Sequence, residues 1–430
     1  MNTATRSLVI TLTLVCLGFL PGLQAVSPPP DGGYAGGNTA EGQNALLSLT
    51  SGNYNTAVGF LSLLSTTTNS FNTAIGAGTL LSNVAGSLDT PNGIPPGSEN
   101  TATGAGALLS NTTGSQNTAN GAFALFSSTD SNFNTAIGAR ALFLNTLGSS
   151  NTATGASALQ SNTTGTFNVA NGGFALFFNT AGNHNTAMGD SALDSNDAGN
   201  SNVAIGDSAL TTNFAGNNNT AIGASALSGT TGNGNIAVGF QAGAAVGSSG
   251  NVIAIGSPGD DVDNSCFIGN IRDVQTQNAD AIAVVIDSAG QLGTASSSAR
   301  FKKEIKPMDN ASEAVLALKP VTFHYKGDKT GTPQFGLVAE DVAKVNPDLV
   351  VCDKGGNIYT VRYDAVNAML LNEFLKEHGK VEEQDHRLWE QGAIIARQQK
   401  QIEALIAGFQ KVSDRLELSK PVPEIVRNNQ

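Results

Sequence analysis

Ser297 and Lys302 stand five positions apart and are the pair in this chain whose types and spacing fit nucleophilic chemistry. A serine hydroxyl attacks a carbonyl only when a base takes its proton, and a neutral lysine amine can serve. A lysine near its reference pKa of about 10.4 is a poor base at neutral pH. It has to be desolvated or crowded by other cations, and Arg300, Lys303 and Lys306 lie close in sequence. The bland reading of the same residues is a flexible Ser296-Ser297-Ser298 linker followed by a solvated Lys302-Lys303 pair. Other candidates are weaker. Asp260, Asp261 and Asp263 carry carboxylates, but their spacing matches no calcium loop and reads as a solvated turn. His184 lies in a turn. No Gly-rich loop is followed by Lys and a helix, so phosphate cradling is rejected. No paired carboxylates suited to glycoside cleavage stand out. No metal or cofactor is expected.

The chain changes character at this pair. Residues 26–296 hold 15 Asp/Glu against Arg140 and Arg272 and no lysine, a net of 2 − 15 = −13. Residues 297–430 hold 19 acids and 19 bases, a net of zero. The acidic first block argues against nucleic acid or anionic lipid as its partner. Two blocks this different read as two functional units.

Residues 1–25 read as a secretory signal. Arg6 is the cationic start, Leu8 to Leu20 the apolar core, and Leu23-Gln24-Ala25 the cleavage site. The protein is therefore expected to be secreted or held at the cell surface, with no membrane span after signal removal. Cys16 as a lipidated cysteine is the lesser reading, because Thr13-Leu14-Val15 lacks the usual small residues. Cys266 and Cys352 then remain, with no sign of a disulfide framework.

Asn-Thr-Ala or a close variant recurs at Asn38, Asn55, Asn72, Asn100, Asn117, Asn134, Asn151, Asn168, Asn185, Asn202, Asn219, Asn235 and Asn251. The interval is 17 residues, apart from one of 28 and two final ones of 16. Gly follows at +4 in the first twelve units and Leu at +8 in eleven. Such self-similarity specifies a stacked array. Helices of six or seven residues would be too short to hold, and Gly and Asn in every unit disfavour them. The expected fold is therefore mainly β: a parallel β-roll or β-solenoid of about 17 residues per coil over residues 26–256. One strand is expected at Thr73–Gly76 and its equivalents and a second through the Ala107-Leu108 pair, with the Leu residues stacked inside. Each coil offers one Leu and one or two Ala. A core that thin favours lateral association of rods. The interval after Asn72 carries 11 extra residues, an expected loop on one face.

Residues 257–296 are expected to form a neck or collar of short strands, around Cys266–Ile271 and Ala281–Asp287. A small α+β domain follows at 297–363. From 364 to 418 the pattern is helical, with Phe374, Val381, Leu388, Ile395, Ile402, Phe409 and Leu416 seven apart. The second seam position is mixed, as in a loosely held coiled coil. Residues 419–430 read as a disordered tail.

Two resemblances add to this. The Asn-Thr-Ala-Ile-Gly pattern over about residues 34–256 resembles the head repeats of trimeric autotransporter adhesins, which implies rods gathered in threes. The C-terminal membrane barrel of those adhesins has no counterpart here. Ser297, Arg300, Lys302 and Ile305 fit Ser-x-x-Arg-x-Lys-x-x-Ile. This resembles the start of the intramolecular chaperone of phage endosialidases and tail spikes. Pro320–Tyr325, Gln334–Val342, Pro347–Val350 and Tyr363-Asp364-Ala365 extend the likeness over about residues 297–390. The resemblance implies single-turnover cleavage of the Ser296–Ser297 bond after trimerisation, with Ser297 as nucleophile and Lys302 as base. Ser298 stands where well-characterised members carry Asp.

The expected protein is thus a secreted or surface homotrimeric fibre, adhesin-like or tail-fibre-like. Its C-terminal chaperone drives assembly and cuts itself off before Ser297, with no multiple-turnover activity. A cell-surface or polysaccharide ligand is the candidate partner. The alternative is an uncleaved fibre with the C-terminal block as a permanent trimerisation clamp.

Overall fold

A computed structural model of the chain describes residues 34–84 and 95–418. The expected signal at 1–25, the tail from 419 and most of the inserted loop lie outside the described residues. The chain divides into two compact units that meet at Gln275 and Thr276.

The first unit is a parallel β-solenoid. Fourteen three-residue strands, β1 (Thr39–Glu41) through β14 (Cys266–Ile268), pair in strict chain order to form one parallel sheet. The register repeats without a slip, as where Thr118, Ala119 and Asn120 face Thr135, Ala136 and Ile137. The middle residue of each strand points inward, and Ala136 and its equivalents from Ala57 onward are fully buried. The flanking residues point outward, so the residues three places after each repeat Asn, such as Ile137 and Ile222, form an exposed stripe (the +3 position).

The second side of the coil departs from expectation. Residues around each Ala-Leu pair form successive turns, not a strand. The Leu residues adopt left-handed backbone, with φ between +49° and +54° at all eleven from Leu46 to Leu227. This conformation costs an L-residue about 1–2 kcal/mol. Burial of the Leu side chain offsets it: Leu142 and nine of its equivalents have zero exposure or close to it. Neighbouring coils still hydrogen-bond on this side, as in Leu142 N–H to Ala158 O at 3.0 Å and Leu144 N–H to Gln160 O at 2.9 Å.

The interior is thin but closed within one chain. In the coil starting at Asn134, Ala136, Ala141 and Leu142 are all fully buried, together with Asn134 and Asn145. An open core is therefore not what would bring rods together. Any lateral association has to be argued from outer faces.

The buried Asn residues make two ladders. In the first, the Oδ1 of one repeat Asn accepts from the backbone of the next, as Asn134 N–H donates to Asn117 Oδ1 at 3.0 Å. Asn134 Nδ2 also donates to Gly148 O at 3.0 Å across its own coil. The second ladder runs through Asn145, Asn162, Asn179, Asn196 and Asn213, each Nδ2 donating to the preceding Oδ1 at 2.7–2.9 Å. This is the buried, fully paired arrangement that makes polar core groups affordable. It fails at one step. Ser128 takes the place of the next Asn after Asn111 and bonds Ser131 instead, and Asn111 Oδ1 has no partner.

The last unit corrects the sequence register. Val252, not Asn251, occupies the ladder position, its N–H donating to Asn235 Oδ1 at 2.9 Å. The sheet then continues past the end of the repeat, with Ile253, Ala254 and Ile255 facing Cys266, Phe267 and Ile268. Beyond it Asp261 Oδ1 accepts from Gly247 N–H and Ser249 N–H, both at 2.9 Å, and Asp263 Oδ1 from Gly250 N–H at 2.7 Å. Asp261 and Asp263 thus cap backbone donors of the final coil, while Asp260 Oδ1 accepts from the neighbouring Asp261 N–H.

Residues 257–296, read as one collar, are divided between the units. In the second unit β15 (Val284–Ile286) pairs antiparallel with β16 (Leu292–Thr294). A 3-10 segment, Asp309–Ala317, precedes the hairpin of β17 (Val321–Phe323) and β18 (Gln334–Gly336). Helix α1 (Ala339–Val345) leads to the pair β19 (Val350–Cys352) and β20 (Ile358–Val361). Helix α2 (Tyr363–Leu418) then runs for 56 residues. The unit's small core is Val342, Leu349, Val361 and Val366. Of α2, only Val366 is buried. The heptad residues Phe374, Val381, Leu388, Ile395, Ile402 and Phe409 are 45–75% exposed.

Candidate functional site

Ser297 sits in extended backbone between β16 and a single 3-10 turn, Ala299–Phe301. Phe301 N–H bonds Ser298 O at 3.1 Å and Lys302 N–H bonds Ala299 O at 3.0 Å, so the turn lies between Ser297 and Lys302. Ser298 N–H donates to Ser296 Oγ at 3.3 Å. Arg300 lies over the Phe301 ring, 4.6 Å from its centroid. Ser296, Ser297, Arg300, Lys302, Lys303 and Lys306 are all exposed. Within the single chain Ser297 and Lys302 share no hydrogen bond, and no wall of protein excludes water from either side chain. A serine hydroxyl and a lysine amine thus stand on one short segment without the enclosure that nucleophilic chemistry between them would need.

Among its described residues the second unit has a part-buried polar cluster around Ser312 to which nothing in the sequence points. Ser312 is fully buried. Its Oγ donates to Glu373 Oε1 and accepts from Asn372 Nδ2 at 2.7 Å. Lys376 Nζ lies 2.7 Å from Glu373 Oε1 and 3.4 Å from Ser312 Oγ. This is a second serine beside a lysine, but its bonding is that of a clamp. The Lys376 and Ser312 donors hold the Glu373 carboxyl below the usual carboxylate range. Lys376 Nζ is thus tied to the Glu373 carboxyl, and the Ser312 hydroxyl is directed at Glu373 Oε1 and Asp309 O. The cluster fastens the Asp309–Ala317 segment to the first turns of α2. Its members stand about sixty residues apart, beyond the reach of any local pattern.

Open apolar grooves are present in each unit. One, of about 640 Å³, lies between the β17–β18 hairpin and α2, lined by Val315, Leu318, Val321, Phe335, Leu337 and Leu370 among others. Neither Ser297 nor Lys302 lines it. The other, of about 470 Å³, lies on the turn side of the rod, with Phe60 and Phe123 at its ends and Ala77, Gly78, Ala105 and Gly106 in its floor. His184 stacks on Phe167 with centroids 5.0 Å apart. Cys266 and Cys352 are free and exposed. Among the described residues no group of His, Cys, Asp and Glu is arranged to hold a metal, and no helix is long and apolar enough to cross a membrane.

Residues 297–351 match the family model of the chaperone of endosialidase. The match begins at Ser297, takes in Lys302, α1 and both strands of the β17–β18 hairpin, and ends before α2. No curated protein and no solved structure matches the chain. The chaperone-of-endosialidase segment and the β-solenoid together fit a protein of tail-fibre type.

Proposed function

We propose that the protein is a secreted homotrimeric fibre whose C-terminal block gathers three chains and then severs itself before Ser297. The observation that carries this reading is the incompleteness of the second unit. The family match opens at Ser297, yet Ser297 and Lys302 lie exposed and apart from any pocket, and α2 turns its apolar heptad residues to solvent. Burial of that seam against other copies completes the helix, and the same association encloses Lys302 and drives off its water, which favours the neutral amine. Cleavage then reports correct assembly.

The step balances without a cofactor. Lys302 Nζ takes the Ser297 Oγ proton, and Oγ attacks the Ser296 carbonyl carbon. The Ser297 nitrogen leaves with a proton, forming an ester between Ser296 and Ser297 Oγ. Water hydrolyses the ester to a Ser296 carboxylate and a free Ser297 with amine and hydroxyl. A cell-surface or polysaccharide ligand for the rod belongs to the same reading.

Expression of residues 26–430 followed by a denaturing gel tests it. Cleavage yields pieces of 296 − 25 = 271 and 430 − 296 = 134 residues. Both vanish in Ser297→Ala and Lys302→Ala while light scattering still reports three chains. A chain that stays intact while trimeric favours the permanent clamp. A single well-folded chain at working concentration overturns the trimer.

A further inference from the structure

The outer stripe of the β-sheet changes along the rod. At the +3 position the last six strands carry Met188, Ile205, Ile222, Val238, Ile255 and Ile268, all 38–43% exposed. The first eight carry Glu41, Val58, Ile75, Thr103, Asn120, Ile137, Thr154 and Asn171, five of them polar. At +1 the last six read Thr186, Val203, Thr220, Ile236, Ile253 and Cys266. Glu41 is the one charged side chain on the outward positions of the fourteen strands. The carboxylates of the same stretch, Asp190, Asp194, Asp197, Asp207, Asp260, Asp261 and Asp263, lie outside the strands.

We infer that this strand face, from β9 (Thr186–Met188) to β14, is the seam along which rods of separate copies first join. The inference rests on the assembly proposed above and assigns its surface. A charge-free, largely β-branched strand face on a rod of net negative charge is matched by a surface equally neutral and apolar, and a second copy carries one. Strands about 4.8 Å apart and three residues wide give β9–β14 a face of roughly 300 Å², the apolar anchor of a strand face of roughly 600 Å² over the whole rod, against roughly 800 Å² per partner in a standard interface. The apolar anchors are concentrated in its last six strands. The Thr and Asn residues of the earlier coils accompany the contact without anchoring it. Joining therefore starts at the end of the rod next to the junction in sequence and runs toward the N-terminus.

Cys266 is the natural reporter, being exposed on β14 and in register with Ile253. In residues 26–430 with Cys352→Ser, a short bis-maleimide reagent is expected to link Cys266 between copies. Adding Ile222→Lys lowers the linked fraction at least tenfold, and adding Ile75→Lys lowers it less than twofold. Ile222→Thr, which places the side chain of Thr103 and Thr154 at this site, gives an intermediate loss and guards against a misfolded Lys variant. Light scattering separates the failures. Single chains overturn the assembly itself. Trimers without Cys266 linkage, or with equal loss from Ile75→Lys and Ile222→Lys, overturn this seam alone.

Discussion

The rod and the long helix are both built by repetition, one with a period of 17 and the other of seven, and each carries an apolar residue at a fixed place in every period. In the rod that residue, Leu142 and its equivalents, is sealed within its own chain. In α2 the matching residues, such as Leu388 and Ile395, face outward. A solenoid coil bends back on itself and supplies its own opposite wall, whereas a single helix has no second wall to offer. Periodicity therefore identifies which positions are equivalent, and chain geometry decides whether one molecule can bury them.

Glycine substitutions give the largest contrast. Gly138 has φ +132°, and a Cβ built there would stand 2.4 Å from Gly155 O of the next coil. Gly138→Val is expected to cost more than about 3 kcal/mol and to split the cooperative melt of the rod, read by circular dichroism. Gly392 lies inside α2 with open space around it. Gly392→Ala is expected to stabilise the helix by about 1 kcal/mol. Comparable losses at both positions would erase the distinction between a closed and an open element.

A repair of the rod is expected to have a smaller effect. Ser128→Asn together with Ser131→Gly restores the Asn ladder at its gap and gives Asn111 Oδ1 a donor. The expected gain is about 1–2 kcal/mol in thermal unfolding of the rod, with the second unit unaffected. No gain would mean that the second ladder contributes less than its burial implies.

The smallest effect is on pH. The Asp261 carboxyl is held below the usual carboxylate range by hydrogen bonds from Ser249 and then Gly247. Its contribution is thus present above the ordinary carboxylate pKa and is lost as pH falls through the lowered one. Amide exchange at Gly247 and Ser249 is expected to quicken in that acid range, and Asp261→Asn should remove the pH dependence.

Much of this was readable in the residues. The 17-residue period, the Gly at +4 and the Leu at +8 were enough for a parallel solenoid, and the Ser297–Ile305 motif located the family segment. Three things were not legible. The Ala-Leu side was read as a strand because left-handed Leu in every coil contradicts ordinary backbone preference, and only burial makes it tolerable. Asn251 matches the repeat by residue type, whereas Val252 keeps the 17-residue step from Asn235 and holds the ladder position. The Ser312–Asn372–Glu373–Lys376 clamp joins segments that no short pattern connects. The Asn at +11 did recur visibly, and its regularity was the available sign of a second ladder.

The first Asn ladder also has a direction. Each Oδ1 accepts from the coil that follows it in sequence, as Asn117 accepts from Asn134 and Asn134 from Asn151. A finished coil therefore holds out a ready acceptor to the stretch emerging behind it. Winding can advance one turn at a time in the order of synthesis, so the rod can be laid down coil by coil before the second unit has been made.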